Sequence, residues 1–336
     1  LFPYTTLFRS VIFTKNIKKN ERNEIIEEPQ FLMWVDNSCR YDSFFFLYTY
    51  AIGPFINDLK LNYDNINFKQ LEKIRNILLR ANKTILNNGI WKILSDIKIP
   101  EFDLTTELNY FKKFNNILQA INLLKDNELF CFKYKVYEGC SICKNPIESF
   151  QYLNPSIEIN KEDLLNKKSV ESIIKLRLRN HQSTCKNCGY DKDGKIIENN
   201  ETYFKIYSEI TVPNFFFLNF EFLDGNEINL DNSFEEEKMN FDVRIQYNNN
   251  IYDYIIQNQK VFGEEYRLIG IICTPQYDHY NGIIVGLLKN IKKLVQGLNY
   301  FNDGRIQNSK IISIMNLSEY IMNNNPYVAV YSRINN

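Results

Sequence analysis

Trp34-Val35-Asp36-Asn37-Ser38-Cys39-Arg40-Tyr41-Asp42 stands near the start of the chain, shortly before the apolar run Phe44-Phe45-Phe46-Leu47. Asn37 and Ser38 are good N-cap residues, so the pattern predicts a helix with Cys39 in its first turn and Gly53-Pro54 at its end. Unpaired N–H groups at the start of a helix favour a thiolate, which is the nucleophilic form of cysteine. Cys39 is therefore a candidate nucleophile, although a single cysteine is more often a small buried apolar residue.

The candidate base is His279, one of only two histidines in the chain. It lies between two strand-like runs, and Asn302 and Asp303 follow on a predicted turn. Either of these two side chains is able to hold an imidazole through its second nitrogen, which would complete a Cys-His-Asn or Cys-His-Asp triad. The alternative interpretation is a histidine with a purely structural role.

Two Cys-x-x-Cys pairs predict a metal site. Cys140 and Cys143 form the first pair, and Cys185 and Cys188 form the second. Four thiolates give Zn²⁺ a closed tetrahedral shell with no position for an activated water, so the sequence predicts a structural zinc ribbon at the tip of a long hairpin. His181 is a weaker candidate ligand. The loop between the pairs is long enough for a short helix.

The apolar spacing divides the chain into a helical part and a later part rich in strands, which predicts one α+β domain with an inserted metal module. Runs of asparagine such as 248–250 and 323–325 are interpreted as the composition of an AT-rich genome. The predicted helices span Phe68 to Ile85, ending near Gly89, and Leu104 to Ile121. The predicted strands are Leu129 to Val136, Val212 to Phe222, Tyr266 to Cys273, Ile283 to Leu288 and Tyr327 to Tyr331.

At these motifs the chain resembles the ubiquitin-specific protease family, in which a cysteine box, a helical region, paired zinc knuckles, a sheet and a histidine box follow in that order. The segments 212–220 and 326–333 also look like strands of that family. The resemblance implies a papain-like fold with a helical thumb at about 30–127, zinc-ribbon fingers at about 128–205 and an antiparallel β palm at about 206–336.

The resemblance also implies roles for single residues. Cys39 would be the nucleophile, His279 the general base and Asn302 the orienting residue, with Asp303 beside it. The implied activity is that of a thiol-dependent deubiquitinase. Asn37 is the expected side-chain donor to the oxyanion, since the family's asparagine five residues before the cysteine is Trp34 in this chain.

Two departures from the family bear on the substrate. Asp278 replaces a glycine before the base, and the Cys-x-x-Asp start, Cys39 to Asp42, looks closer to the family's SUMO isopeptidase branch and to related transposon-associated proteases. A SUMO-specific isopeptidase is therefore an alternative to a deubiquitinase. Two further alternatives are a catalytically inactive scaffold that binds a modifier and a zinc-ribbon module that binds nucleic acid.

Composition bounds the partners. Forty basic and forty acidic residues cancel, which disfavours nucleic acid and anionic membranes as partners. No apolar run is long enough to span a bilayer. We therefore expect a soluble monomer that acts on conjugates of ubiquitin or a ubiquitin-like modifier. Paired cysteines of the metal-binding type favour the reducing cytoplasm or nucleus.

The first ten residues, LFPYTTLFRS, look like a translated sequencing adapter. We therefore expect residues 1–10 to be an assembly artefact and the natural start of the protein to be missing. The catalytic domain is predicted to span residues 11–336.

Overall fold

The computed structural model describes residues 31–35, 38–58, 66–97, 117–144, 146–188, 193, 202–220, 246–276, 279–285, 298–302, 310–314 and 316–334. Over these ranges helices precede strands, which confirms the prediction of a mixed α/β chain with antiparallel sheets. None of the described helices is both long and apolar enough to cross a bilayer.

The helices are numbered in chain order. They are α1 (Cys39–Leu47), α2 (Gly53–Asp58), α3 (Ile66–Arg80), α4 (Lys83–Asn87), α5 (Gly89–Asp96), α6 (Ile117–Ile121), α7 (Lys161–Leu165), α8 (Val170–Arg177), α9 (residues 246–255) and α10 (Leu317–Asn323), with a π-helical turn at Tyr48–Ile52 and a 3-10 turn at Asn122–Leu124.

The strands are numbered in the same way. They are β1 (Lys133–Cys140), β2 (Ile147–Tyr152), β3 (Ser156–Ile159), β4 (His181–Ser183), β5 (Tyr203–Thr211), β6 (Phe215–Phe220), β7 (Gln259–Val261), β8 (Glu264–Gln276), β9 (His279–Ile284), β10 (Leu298–Asn302), β11 (Lys310–Ile314) and β12 (Pro326–Arg333).

Helix α1 begins at Cys39, so the cysteine lies in the first turn as predicted. The predicted end at Gly53-Pro54 is wrong, because the chain passes through the π-helical turn directly into α2. Proline is tolerated in the first turn of a helix, where its missing N–H has no intrahelical partner to lose. Gly53 is needed for packing, since a Cβ there would lie 2.7 Å from Nη1 of Arg75.

The helix predicted from Phe68 to Ile85 is two helices, α3 and α4. They are separated at Asn82, whose side-chain oxygen accepts a hydrogen bond from the backbone N–H of Ile85 at 3.0 Å. A side chain that caps a new helix competes with continuation of the old one. Gly89, at φ +72°, starts α5. Most of the second predicted helix lies outside the described residues, and its end forms α6.

The strands form two sheets. The smaller has the order β2-β1-β5-β4, and the larger has the order β11-β10-β9-β8-β12-β6-β3, with β7 paired to β8. Among the described neighbours, the pair β3–β6 is the parallel one. Strand β3 lies between the two cysteine pairs in sequence yet joins the larger sheet. The same loop contains α7 and α8, so it forms two short helices where the sequence predicted one.

The strand predicted from Leu129 begins only at Lys133. Leu129, Phe130, Cys131 and Phe132 are all buried, whereas an alternating strand would bury every second residue. These four residues lie in a turn and bend that enters the core before the strand begins, so burial on all sides obscures the period of two.

The larger sheet is covered on both faces. In β6, Phe215 and Phe217 join the core shared with the early helices, whereas Phe216 and Leu218 join the core formed with α8 and α9. Burial of both faces explains why this strand is apolar at nearly every position. The sheet is therefore the central layer of the described fold.

Helix α1 packs directly on β8 and β9 of this sheet. The contact is close because two strand positions lack a side chain. A Cβ on Gly282 would lie 2.8 Å from Cδ1 of Phe46, and a Cβ on Gly270 would lie 2.9 Å from Cδ2 of Leu47. These two glycines set the distance between the helix that carries Cys39 and the strand that begins at His279.

We expect Gly282→Ala to lower the free energy of unfolding by about 1–3 kcal/mol, because the Phe46 ring has no room to move away. It packs edge-on against Phe31 and Tyr50, at centroid distances of 5.7 and 5.6 Å. Urea denaturation measures the change. Gly263→Asn is the control, since a Cβ there meets nothing within 4 Å. Equal stability of the two variants would contradict this packing.

Candidate active site and metal centre

Cys39 is fully buried at the start of α1. The backbone before it is fixed by α4 and α5: Met33 N–H donates to the carbonyl of Leu86 at 3.1 Å, and the Trp91 indole donates to the carbonyl of Val35 at 2.7 Å. The entry to α1 is therefore anchored on the helical part of the fold, while the body of α1 rests on the sheet.

The first turn of α1 is closed by a buried side-chain pair. The Ser38 hydroxyl accepts a hydrogen bond from Val35 N–H at 2.9 Å and donates to the carboxylate of Asp42. Ser38 occupies the N-cap position without capping a first-turn N–H through its side chain. The carboxylate near the positive end of the helix is also favourable for the helix dipole. Asp42 thus has a structural role at the helix start.

The start of α1 lies beside Tyr280. Burial is the main cause of the raised pKa of the Tyr280 phenol, with smaller contributions from Tyr327 and Cys39 that raise it and from Arg40 that lowers it. Cys39 and Arg40 are therefore within electrostatic range of the residue that follows His279. Tyr280 is itself buried and packs against Tyr327 at a centroid distance of 6.0 Å.

His279 is the first residue of β9, and Asn302 is the last residue of β10. These strands are antiparallel neighbours with Phe301 opposite Gly282, so Asn302 lies at the end of β10 that is nearest to the start of β9. The backbone thus brings Cys39, His279 and Asn302 to one end of β9. Asn37, Asp278 and Asp303 lie outside the described residues, and the catalytic roles of all these residues stay predictions.

A buried amide network anchors the turn that leads to His279. Asn325 accepts a hydrogen bond from Thr274 N–H at 3.0 Å through its backbone carbonyl and donates to the Thr274 carbonyl at 3.1 Å through its side chain. Asn248 in α9 donates to the side-chain oxygen of Asn325 at 3.1 Å. Thr274 lies at the irregularity in pairing between Cys273 and Gln276. The network therefore fixes the strand just before the turn to β9.

The sequence prediction missed this network. Asn248 and Asn325 belong to the asparagine runs that were interpreted as genome composition, yet both are buried and hydrogen-bonded. Asn325 also has φ +30°, a conformation that asparagine tolerates better than most residues. A short asparagine run directly before a strand-like segment was the available signal for a left-handed turn residue.

Asn325→Gly should lower the free energy of unfolding by about 1–3 kcal/mol. Glycine keeps the backbone conformation but removes the side-chain bonds to Thr274 and Asn248, leaving buried polar atoms unpaired. Thermal or urea unfolding tests this. Asn166→Gly is the matched control, because Asn166 is exposed at the end of α7. If the two variants lose equal stability, the network does not anchor the turn.

The structure brings the four predicted zinc ligands together. The Sγ atoms of Cys140, Cys143, Cys185 and Cys188 all lie within 4.8 Å of one another, with Cys140 and Cys188 3.4 Å apart. Sulfur atoms at tetrahedral Zn–S bonds of about 2.3 Å are about 3.8 Å apart. The thiol set therefore fits one tetrahedral Zn²⁺. His181, in β4, packs edge-on against Tyr203 and is not part of this group.

Hydrogen bonds pre-organise the first of these ligands. Cys143 N–H donates to Sγ of Cys140 at 3.4 Å, and the Thr202 hydroxyl donates to the same sulfur at 3.3 Å. These two donors, the backbone N–H first, lower the pKa of Cys140 to about 6. Thr202 also accepts from Ser141 N–H at 3.0 Å through its carbonyl, so it holds the first knuckle in place.

Zinc removal should loosen the four-stranded sheet, since the ligands come from both ends of the segment that links β1 to β5. We expect about one Zn per chain by elemental analysis and none after Cys140→Ser. Hydrogen exchange should then speed up in β1, β4 and β5. Cys131→Ala, a buried cysteine outside the group, should keep its zinc. Slow exchange in a metal-free chain would contradict a structural metal.

The fold and site together define a mixed α/β protein with a buried cysteine at a helix start and a separate four-cysteine metal centre. No protein-family model matches the chain, and no curated protein sequence matches it. Similarity is found among solved structures.

The Saccharomyces cerevisiae PAN2 pseudoubiquitin-hydrolase has 15% identity and a TM-score of 0.46, over 92% of this chain and 88% of that chain. A Pan2 pseudoubiquitin hydrolase–RNA exonuclease module in complex with A7 RNA has 14% identity and a TM-score of 0.47 over 91% of this chain. This chain covers 54% of that module, about half of its length.

The SAGA Ubp8/Sgf11/Sus1/Sgf73 DUB module bound to ubiquitin aldehyde has 15% identity and a TM-score of 0.41, over 91% of this chain and 70% of that chain. All of these TM-scores lie below 0.5, so the similarity assigns neither an activity nor a partner to this chain.

Proposed function

We propose that this protein is a thiol isopeptidase that removes ubiquitin or a ubiquitin-like modifier from lysine side chains. The observation that carries the proposal is the meeting of α1 and β9: Cys39 begins the helix, His279 begins the strand, and the two elements are packed together. Asn302 ends the neighbouring strand at the same edge of the site.

The reaction follows from the chemistry of these groups. The Cys39 thiolate attacks the carbonyl carbon of the modifier's last residue, so a C–S bond forms and the carbonyl π electrons move to the oxygen. When that intermediate collapses, the C–N bond breaks and His279 gives a proton to the leaving lysine amine. Water, deprotonated by His279, then hydrolyses the thioester. Asn302 holds the imidazole in the productive orientation.

The four-cysteine centre has a structural role in this proposal. Zinc, when bound, cross-links the two knuckles and stabilises the small sheet. Cys140, Cys143, Cys185 and Cys188 fill its coordination shell, so no ligand position is left for substrate. The metal centre and Cys39 lie in different parts of the chain and serve different purposes.

Both ubiquitin and SUMO remain candidate modifiers. The Cys-x-x-Asp pattern that suggested SUMO has a structural explanation here, because Asp42 accepts a hydrogen bond from Ser38 within the buried first turn. A residue used in this way shapes the helix start and does not select the modifier. The pattern therefore supports neither modifier over the other.

A second candidate function is a catalytically inactive scaffold that binds a modifier. The residue that favours it is Trp34, which occupies the position of an oxyanion-binding asparagine and packs against the core formed with the early helices. Such a protein would bind the free modifier without forming a covalent bond to it.

The test is the intact mass of residues 11–336 after exposure to ubiquitin or SUMO with a C-terminal thiol-reactive electrophile. We expect the mass to rise by one modifier in the unsubstituted chain and to stay unchanged in Cys39→Ala. Cys131→Ala, which removes another buried thiol, should still be labelled. A folded, zinc-loaded chain that binds a modifier yet forms no adduct would instead identify the inactive scaffold.

A further inference from the structure

Arg40, the residue after the candidate nucleophile, is fully buried and has no hydrogen-bond partner. Its side chain is 0% exposed, and Nε, Nη1 and Nη2 all lack an acceptor among the described residues. A guanidinium presents five N–H donors and keeps its charge at any ordinary pH. An unpaired charge in a protein interior is costly, so its persistence here requires a reason.

The other buried arginine shows the usual arrangement. Arg75 is 4% exposed, and its guanidinium binds Glu72 through two hydrogen bonds, from Nη2 at 2.8 Å and from Nε at 3.0 Å. The chain therefore pairs a buried arginine in one place and leaves one without an acceptor in another. The difference lies in position, since Arg40 alone of the two is next to Cys39.

The residues around Arg40 stabilise its charge in part but leave its donors unused. Its guanidinium carbon lies 5.1 Å from the Tyr41 ring centroid and 6.0 Å from that of Trp91. Burial lowers the pKa of Arg40, while the phenol of Tyr41 and, more weakly, Cys39 and Tyr280 raise it. Aromatic rings accept a cation over their faces without supplying lone pairs to the N–H groups.

The nearby carboxylate is not the missing acceptor. Asp42 is two positions further along α1, and residues two apart lie on different sides of a helix. Its carboxylate accepts the Ser38 hydroxyl at the helix start. The five donors of Arg40 therefore await an oxygen that is not supplied by the described chain.

We propose that Arg40 is a catalytic residue that binds the carbonyl oxygen of the modifier's last residue and stabilises its negative charge during attack by Cys39. This inference rests on the proposed isopeptidase function. As the C–S bond forms, the carbonyl π electrons move to the oxygen, and the guanidinium donates hydrogen bonds to the resulting oxyanion. The charge returns to the carbonyl when the C–N bond breaks, so Arg40 neither gains nor loses a proton.

Charge at this position is more effective in a buried site than in water. A pre-placed donor in a dry environment needs no reorganisation when the oxyanion forms, and removal of one such donor lowers turnover by about 100- to 1,000-fold in a well-studied case. A ground-state carbonyl carries less charge than the oxyanion, so Arg40 should affect kcat far more than KM.

The experiment compares two probes built on whichever modifier labels Cys39. The first carries a C-terminal aldehyde, which forms a hemithioacetal whose oxygen occupies the oxyanion position. The second carries a C-terminal alkyl bromide, from which Cys39 displaces bromide without forming an oxyanion. Arg40→Met keeps the length of the side chain and removes its donors and charge.

We expect Arg40→Met to weaken aldehyde affinity and to lower kcat for hydrolysis of a C-terminal amide by about 100- to 1,000-fold. KM and the rate of alkylation by the bromide should stay within about threefold. Arg75→Met controls for the loss of a buried arginine. It should lower stability while leaving the ratio of aldehyde affinity to bromide reactivity unchanged.

An equal loss of both probe reactions in Arg40→Met would overturn the proposal, because a structural or thiol-activating role affects both. If Arg40→Met does not fold, Arg40→Lys decides, since it keeps the charge but loses the planar fork of donors. The aldehyde should then be weakened at least tenfold more than the bromide, and equal effects would again overturn the proposal. If the unsubstituted chain is labelled by neither modifier, the isopeptidase function itself fails.

Discussion

The packing of α1 on strands β8 and β9 is the contact on which the rest of the candidate site depends. It requires Gly270 and Gly282, because any side chain at either position would collide with Leu47 or Phe46. The nucleophile belongs to the helix and the base to the strand, so their separation is set by this one interface. A core packed at such distances changes in steps and not smoothly, and a methyl group is a large step.

The sheet is able to hold this interface in place because it is supported from behind. Its other face packs against α8 and α9, and β12 lies between β8 and β6 in the sheet. The residue before β12, Asn325, also holds Thr274 at the edge of the turn to His279. The position of the candidate base is thus set by segments that are far from it in sequence.

Local features were predictable from sequence. The start of α1 was predicted correctly because cap-forming residues next to an apolar run act within a few positions. The four thiols were predicted because knuckle spacing is itself a local constraint.

The errors arose where distant contacts decide. The chain continues through Gly53-Pro54 because Arg75 packs there. Strand β3 pairs in parallel with β6 although it lies inside the metal-binding segment of the sequence. No periodicity in a single segment contains that information.

The same distinction applies to the candidate site. Cys39 and His279 stood out because their residue types are chemically reactive and rare in this chain, whereas Arg40 drew no attention as one basic residue among forty. What distinguishes Arg40 is burial without an acceptor, a property that exists only after folding. The desolvation of that charge opposes folding, as does any buried polar group without a partner. A chain that retains such a group beside a thiol places its least stable feature where developing negative charge would be most strongly stabilised, which is the arrangement that a reacting site requires and a purely structural core does not.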